Sequence, residues 1–218
     1  MHRDTQARNF DGEAANWDAK PARVKLAGEI ASAMLAAVSL TREMDVLDFG
    51  CGTGLLTLAL QPFCRTVTGA DSSTGMLDVL AAKAARAGLG NVRRHHIDPA
   101  APDLPAGPFD LIVSSMTLHH IQEPGPVLAG LHAALAKGGA VCLADLEPDG
   151  GLFHDDNQGV FHFGFSREQM RALLAGAGFS AIRLHTAARI DKPVANDPAR
   201  SFGVFLAVGA KEPDFPPG

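Results

Sequence analysis

Short apolar runs and longer stretches of helical periodicity take turns along this chain. Residues 45–49, 66–70, 92–97, 109–114 and 140–146 read as strands, each followed by a turn signal. Between them lie segments with apolar spacing of about three to four residues, over 22–40, from 55 onward, 73–87, 124–137 and 166–178. The first carries Val24, Ile30, Met34 and Leu35 as its apolar stripe. The last starts at Ser166, with Gln169 at the capping-box position. Gly88, Gly90 and the pair Gly138-Gly139 punctuate helix ends. Two late strands, 181–190 and 202–210, follow one another with no helix between them, which suits an antiparallel return. Strand–helix alternation of this kind predicts an α/β fold, a parallel sheet covered by helices. One domain over residues 1–211 is expected, with 212–218, which carry three prolines, as a disordered tail.

Composition narrows the setting. The formal charge of -5 gives no general attraction to a nucleic acid backbone, and Arg93-Arg94 is the one adjacent basic pair. Cys51, Cys64 and Cys142 are scattered, with no CxxC pair, so neither a disulfide framework nor a zinc site of standard spacing is expected. Residues 1–10 are polar rather than signal-like, and the alanine-rich stretch 26–40 is too short to span a bilayer. A soluble, cytoplasmic protein without membrane insertion is the expectation.

The most informative stretch is Val46-Leu47-Asp48-Phe49-Gly50-Cys51-Gly52-Thr53-Gly54, a glycine-rich turn where a strand hands over to a helix. Glycines there let the backbone bend sharply and approach a ligand. Such turns lie at the carboxyl ends of the strands, where open α/β sheets bind their ligands. The third glycine comes one residue too early for the dinucleotide fingerprint, with Leu55 at its final position. No Gly-Lys-Ser/Thr follows for a P-loop. No basic residue in the turn could meet a pyrophosphate. Asp71 ends the second strand, about 20 residues past the first loop glycine, where a carboxylate can accept from both ribose hydroxyls. An adenosine without phosphates fits this pair best.

With these motifs the chain resembles the class I S-adenosylmethionine-dependent methyltransferases. The nearest subgroup is the small-molecule enzymes typified by ubiquinone/menaquinone C-methyltransferases. The resemblance also rests on Gly69-Ala70-Asp71-Ser72-Ser73-Thr74-Gly75-Met76-Leu77, Phe109-Asp110-Leu111-Ile112-Val113-Ser114-Ser115, Leu118-His119-His120-Ile121 and Leu135-Ala136-Lys137-Gly138-Gly139. It implies a Rossmann-like seven-stranded sheet of order 3-2-1-4-5-7-6, strand 7 antiparallel, with helices on both faces. It implies S-adenosylmethionine as cofactor, with Gly50 and Gly52 beside its methionine and ribose parts. Asp48 would lie near the sulfonium end, Asp71 and Ser72 at the ribose, and Met76 on the adenine. Asp98 would accept from the adenine amino group, Ile97 would donate its backbone N–H, and Ser114 would face the methionine moiety. Residues 10–23, with Trp17, resemble a lid over the cofactor, in which Arg23 would pair with its carboxylate.

The methyl acceptor is less legible. His119 and His120 follow the fourth strand, where the resemblance sets the acceptor, and either imidazole could take its proton. The stretch 150–165 holds Phe153, Phe161, Phe163 and Phe165, which could line an apolar pocket. His154, Asp155 and His162 match no standard ligand spacing, so no metal is expected. Ser114-Ser115-Met116-Thr117 stands where amine methylases of adenine or glutamine carry Asn/Asp-Pro-Pro-aromatic. The expected partner is a small, partly apolar methyl acceptor. A protein or RNA methyltransferase, or a non-catalytic S-adenosylmethionine-binding regulator, is the alternative.

Overall fold

The computed structural model describes residues 10–98, 103–195 and 197–212. A 3-10 helix, Asp11–Ala19, leads into α1 (Pro21–Ala37). The alternation then runs β1 (Asp45–Phe49), α2 (Leu55–Leu60), β2 (Thr66–Asp71), α3 (Thr74–Arg86), β3 (Val92–His96) and β4 (Phe109–Ser115). It continues through α4 (Pro124–Ala134), β5 (Leu135–Leu146) and α5 (Arg167–Gly176) to β6 (Ser180–Val194) and β7 (Asp197–Ala210). The sheet has the order β3-β2-β1-β4-β5-β7-β6. Strands β1 to β5 pair in parallel, and β7 runs antiparallel between β5 and β6.

Both faces of the sheet are covered, which is why its central strands read as unbroken apolar runs. Ile112, Val141, Leu143, Phe205 and Ala207 pack with Leu128 and Leu131 of α4 and Met170 and Leu174 of α5. Their strand neighbours Leu111, Val113, Cys142, Leu206 and Val208 face the other way, onto Ile30 and Met34 of α1 and Leu56 and Leu60 of α2. Val24, in the stripe expected for α1, is exposed instead. Ser166 and Gln169 form the reciprocal capping box at α5.

Two boundaries differ from the sequence reading. Helix α4 stops at Ala134 rather than at residue 137, because Leu135 is buried and already pairs with Phe109 of β4. Tertiary burial overrides the helical propensity of Leu-Ala-Lys. The late strands run on past residues 190 and 202, meeting at Lys192↔Arg200 and Val194↔Asp197. Pro193 lies in β6, an edge strand where a missing N–H is tolerated, and Pro198 in the part of β7 that runs beyond its pairing with β5. The expected tail from 212 lies outside the described residues beyond Glu212.

Candidate active site

The turn after β1 is held by its backbone. Gly50 and Gly52 adopt φ of 72° and 53°, a region costly for residues with a side chain. A Cβ on Gly50 would fall on the Thr117 side chain, whereas one on Gly52 would meet no atom within 4 Å. The space beside Gly52 is therefore open to a ligand. Asp71 accepts from Gly52 N at 2.7 Å through Oδ2 and from Ser73 N at 2.9 Å through Oδ1. Burial raises its carboxyl above the ordinary range, against those N–H donors, which favour the charged form. Asp48 is buried outright and accepts from Thr57 Oγ1 at 2.6 Å. Burial pushes its carboxyl up to about 7, with the nearby Asp71 charge adding to it and Thr57 working against it.

This turn forms one end of a cavity of about 700 Å³. Asp48, Gly50, Gly52, Asp71, Ser72, Met76 and Ile97 line it, as do His119 and His120 at the other end. Three of the expected residues are placed differently from the rest. The Ile97 N–H is taken by Asp71 O at 2.9 Å, extending the β2–β3 ladder, so the residue presents its side chain and not a donor. Ser114 turns its hydroxyl onto Phe49 O at 2.7 Å and is buried, and Ser115 takes its place in the wall. Asp98 is exposed and outside the lining.

The N-terminal segment closes over the turn. Asp11 Oδ1 accepts from Ser73 Oγ at 2.5 Å and Gly75 N at 2.8 Å, at the start of α3. Asp18 accepts from Thr53 Oγ1 at 2.6 Å and pairs with Lys83 at 2.8 Å. Phe10, Trp17 and Arg23 all reach the cavity wall. The Arg23 guanidinium lies 3.5 Å from the Trp17 ring centroid and bonds Glu13 at 3.3 Å.

At the far end, β5 contributes a residue that the sequence reading passed over. Asp145 is fully buried, and its Oδ1 meets His119 Nδ1 at 2.6 Å while accepting from Leu146 N at 2.7 Å. Burial would raise that carboxyl, but the His119 contact and the backbone donors outweigh it and hold it below the ordinary value. His119 Nε2 faces His154 Nε2 at 3.2 Å, and His120 Nδ1 lies 2.7 Å from Gly159 O. Of the four loop phenylalanines, Phe153 and Phe161 line the cavity, Phe163 packs over Gly151 and Phe165 is in the core. His162 is turned away onto Ile121 O, and Asp155 pairs with Lys192 at the surface. The signal for Asp145 was available: a carboxylate inside the apolar run Ala140-Val141-Cys142-Leu143-Ala144-Asp145-Leu146 needs a buried partner.

A family model described as a methyltransferase domain matches residues 46–139. An uncharacterized methyltransferase of Synechocystis is 30% identical over 164 residues, 69% of this chain and 74% of that protein. The chain belongs to the S-adenosylmethionine-dependent methyltransferases. An uncharacterized methyltransferase of Schizosaccharomyces pombe is 32% identical over 152 residues, covering 63% of this chain and 54% of that one. A ubiquinone biosynthesis O-methyltransferase of Caulobacter is 34% identical over 103 residues, 47% and 41% of the two chains. This methyltransferase thus spans about half the length of most curated relatives it matches. Its fold matches that of DhpI in complex with S-adenosylhomocysteine, with a TM-score of 0.69, 21% identity and 94% of each chain covered. Among the described residues, no helix of the methyltransferase is long and apolar enough to cross a membrane.

Proposed function

We propose that this protein binds S-adenosylmethionine at the β1 turn and transfers its methyl group to a small, partly apolar acceptor at the histidine end of the same cavity. One observation carries the reading. A single space of about 700 Å³ joins the Gly52–Asp71 corner to a wall of Phe153, Phe161, Ile121 and Val127 beside His119 and His120. That volume suits one cofactor and a modest second molecule.

The residues fit the cofactor. The open space beside Gly52 admits a ribose, and each Asp71 oxygen keeps a lone pair for a hydroxyl after its backbone bond. Met76 and Ile97 supply apolar surfaces for an adenine. Asp48, buried and held by Thr57, offers a carboxylate that the cationic end of the ligand would help to ionise. The cofactor supplies an activated methyl on a sulfonium centre. The protein's own part is alignment, which can supply roughly 7–11 kcal/mol. It also excludes water, through the Asp11–Ala19 lid and the 150–165 loop. The aromatic and aliphatic wall of the far end favours a small acceptor over a protein or RNA strand. His119 and His120 bring ring nitrogens to that end, where a protonated acceptor must lose its proton.

Isothermal titration with S-adenosylhomocysteine should give a dissociation constant in the micromolar range, about -8 kcal/mol. A screen of phenols, thiols and quinols with S-adenosylmethionine, read by product mass, should return a methylated species. Failure to bind S-adenosylhomocysteine, or preference for a nicotinamide dinucleotide, would overturn the reading.

A further inference from the structure

The far end of the cavity brings three imidazoles together. One ring nitrogen from each of His119, His120 and His154 lies within 4.8 Å of the other two. Nε2 of His119 and Nε2 of His154 stand 3.2 Å apart. Two neutral imidazole lone pairs face to face repel, so either a proton or a cation must lie between them. Zinc–nitrogen bonds of about 2.0–2.1 Å at a tetrahedral angle set two ligand nitrogens about 3.3 Å apart. The observed separation matches that arrangement.

The surroundings are those of a ligand set and not of a chance cluster. Nδ1 of His119 is tied to the buried Asp145 at 2.6 Å, which fixes the ring and leaves Nε2 as the lone-pair nitrogen. Nδ1 of His120 is tied to Gly159 O at 2.7 Å and donates there. Metal-bound histidines characteristically give the other ring N–H to a carboxylate or a backbone carbonyl, and here one partner of each kind is in place. All three residues also line the cavity that ends at the glycine turn.

We infer that His119, His120 and His154 form a binding site for a divalent transition metal of the zinc class, with an open coordination position facing the acceptor space. Three neutral nitrogens with no thiolate suit zinc or its neighbours and not calcium or magnesium, which take oxygen ligands. A cation there would lower the pKa of an O–H or S–H group placed on its open position and hold that atom in line for transfer. The acceptor class implied is an ionisable hydroxyl or thiol. This role in catalysis rests on the methyltransferase reading; the metal site itself does not.

The test uses the full chain, dialysed against a chelator and then titrated with zinc chloride alone. One zinc per chain should bind, with a dissociation constant of about 1 µM or tighter. Cobalt in its place should give the visible bands of a low-symmetry nitrogen-ligated ion. His154→Ala, in a partly exposed loop, should weaken zinc binding at least about tenfold, and Asp145→Asn by about ten- to a hundredfold. His162→Ala, which removes an imidazole outside the cluster, should leave it unchanged. S-adenosylhomocysteine titration on each variant reports whether the fold survives. No zinc retained, or equal zinc affinity in His154→Ala, overturns the inference. Zinc binding without S-adenosylhomocysteine binding would instead sink the cofactor reading and leave the metal site standing.

Discussion

Asp71 carries two duties with one carboxylate. It braces the turn through Gly52 N and Ser73 N, and it faces the cavity where a ribose is proposed to bind. Asp71→Ala should therefore weaken S-adenosylhomocysteine by at least about tenfold, since hydrogen bonds to a charged group contribute roughly 1.5–3 kcal/mol. Titration calorimetry on the folded variant checks it; unchanged affinity would remove Asp71 from the binding site. Asp48 makes a different prediction, through pH. Its carboxyl is raised to about 7 in the fold against an ordinary value near 3.9. Below about pH 4 both folded and unfolded chains hold the proton, and the group contributes nothing. Between there and about 7 the unfolded chain ionises while the fold keeps its proton, so the group costs stability as pH rises. Asp48→Asn removes that cost. Its stability relative to the unsubstituted protein should rise by roughly 2 kcal/mol from about pH 5 to about pH 8, read from urea midpoints. A flat difference would mean that Asp48 is ionised in the fold. These residues were legible because each sits in one contiguous strand–turn motif. Asp145 was legible only as a buried charge in an apolar run; its partner His119, 26 residues away, was not, since only the parallel β4–β5 pairing brings the two together.

Among the elements, the 3-10 helix Asp11–Ala19 has little core of its own, burying only Ala14. What holds it are polar contacts to other parts of the turn region, Asp11 with Ser73 and Gly75 and Asp18 with Thr53 and Lys83. An element held by few apolar contacts opens at low free energy, which suits a cover that must admit and release a ligand. Its register is also why the sequence reading could name a lid there but not its partners. Acidic residues at 11 and 18 look like a solvated face until α3 is placed beside them. Trp17, the one tryptophan of the chain, lies in the cavity wall against Arg23. Its emission should shift or quench on adding S-adenosylhomocysteine, saturating at the calorimetric dissociation constant. The Asp18→Ala variant should show a faster release of ligand with little change in thermal midpoint. Constant emission through saturation would mean that the segment does not cover the ligand. Strand β3 and helices α2 and α3 were readable from periodicity and glycine punctuation. The extended β6–β7 hairpin was not, because Pro193 and Pro198 carry turn signals that are tolerated where the hairpin runs beyond β5.

At the scale of the whole molecule, the two ends of the cavity are built from opposite sides of the β1–β4 switch. The turn end depends on β1, β2 and α3, and the far end on residues after β4, on β5 and on the loop from 150 to 165. The sheet order separates them in the chain, and only the carboxyl ends of the strands bring them together. Substitutions at the two ends should then act on different quantities. Phe161 lines the far end, packed near His119 through its backbone N–H to His119 O at 3.0 Å. Phe161→Ala leaves that backbone bond in place and removes an apolar wall. On an acceptor found by screening, it should raise the acceptor KM or lower kcat by at least about tenfold, as expected when roughly 1–3 kcal/mol of pocket contact is lost. Affinity for S-adenosylhomocysteine should stay within about twofold, because positions without shared contacts act additively. Asp71→Ala should give the converse pattern, with cofactor affinity lost and the acceptor KM at saturating cofactor little changed. If Phe161→Ala instead weakens S-adenosylhomocysteine as much as Asp71→Ala does, the cavity is one ligand's site from end to end. The acceptor would then have to enter from another surface.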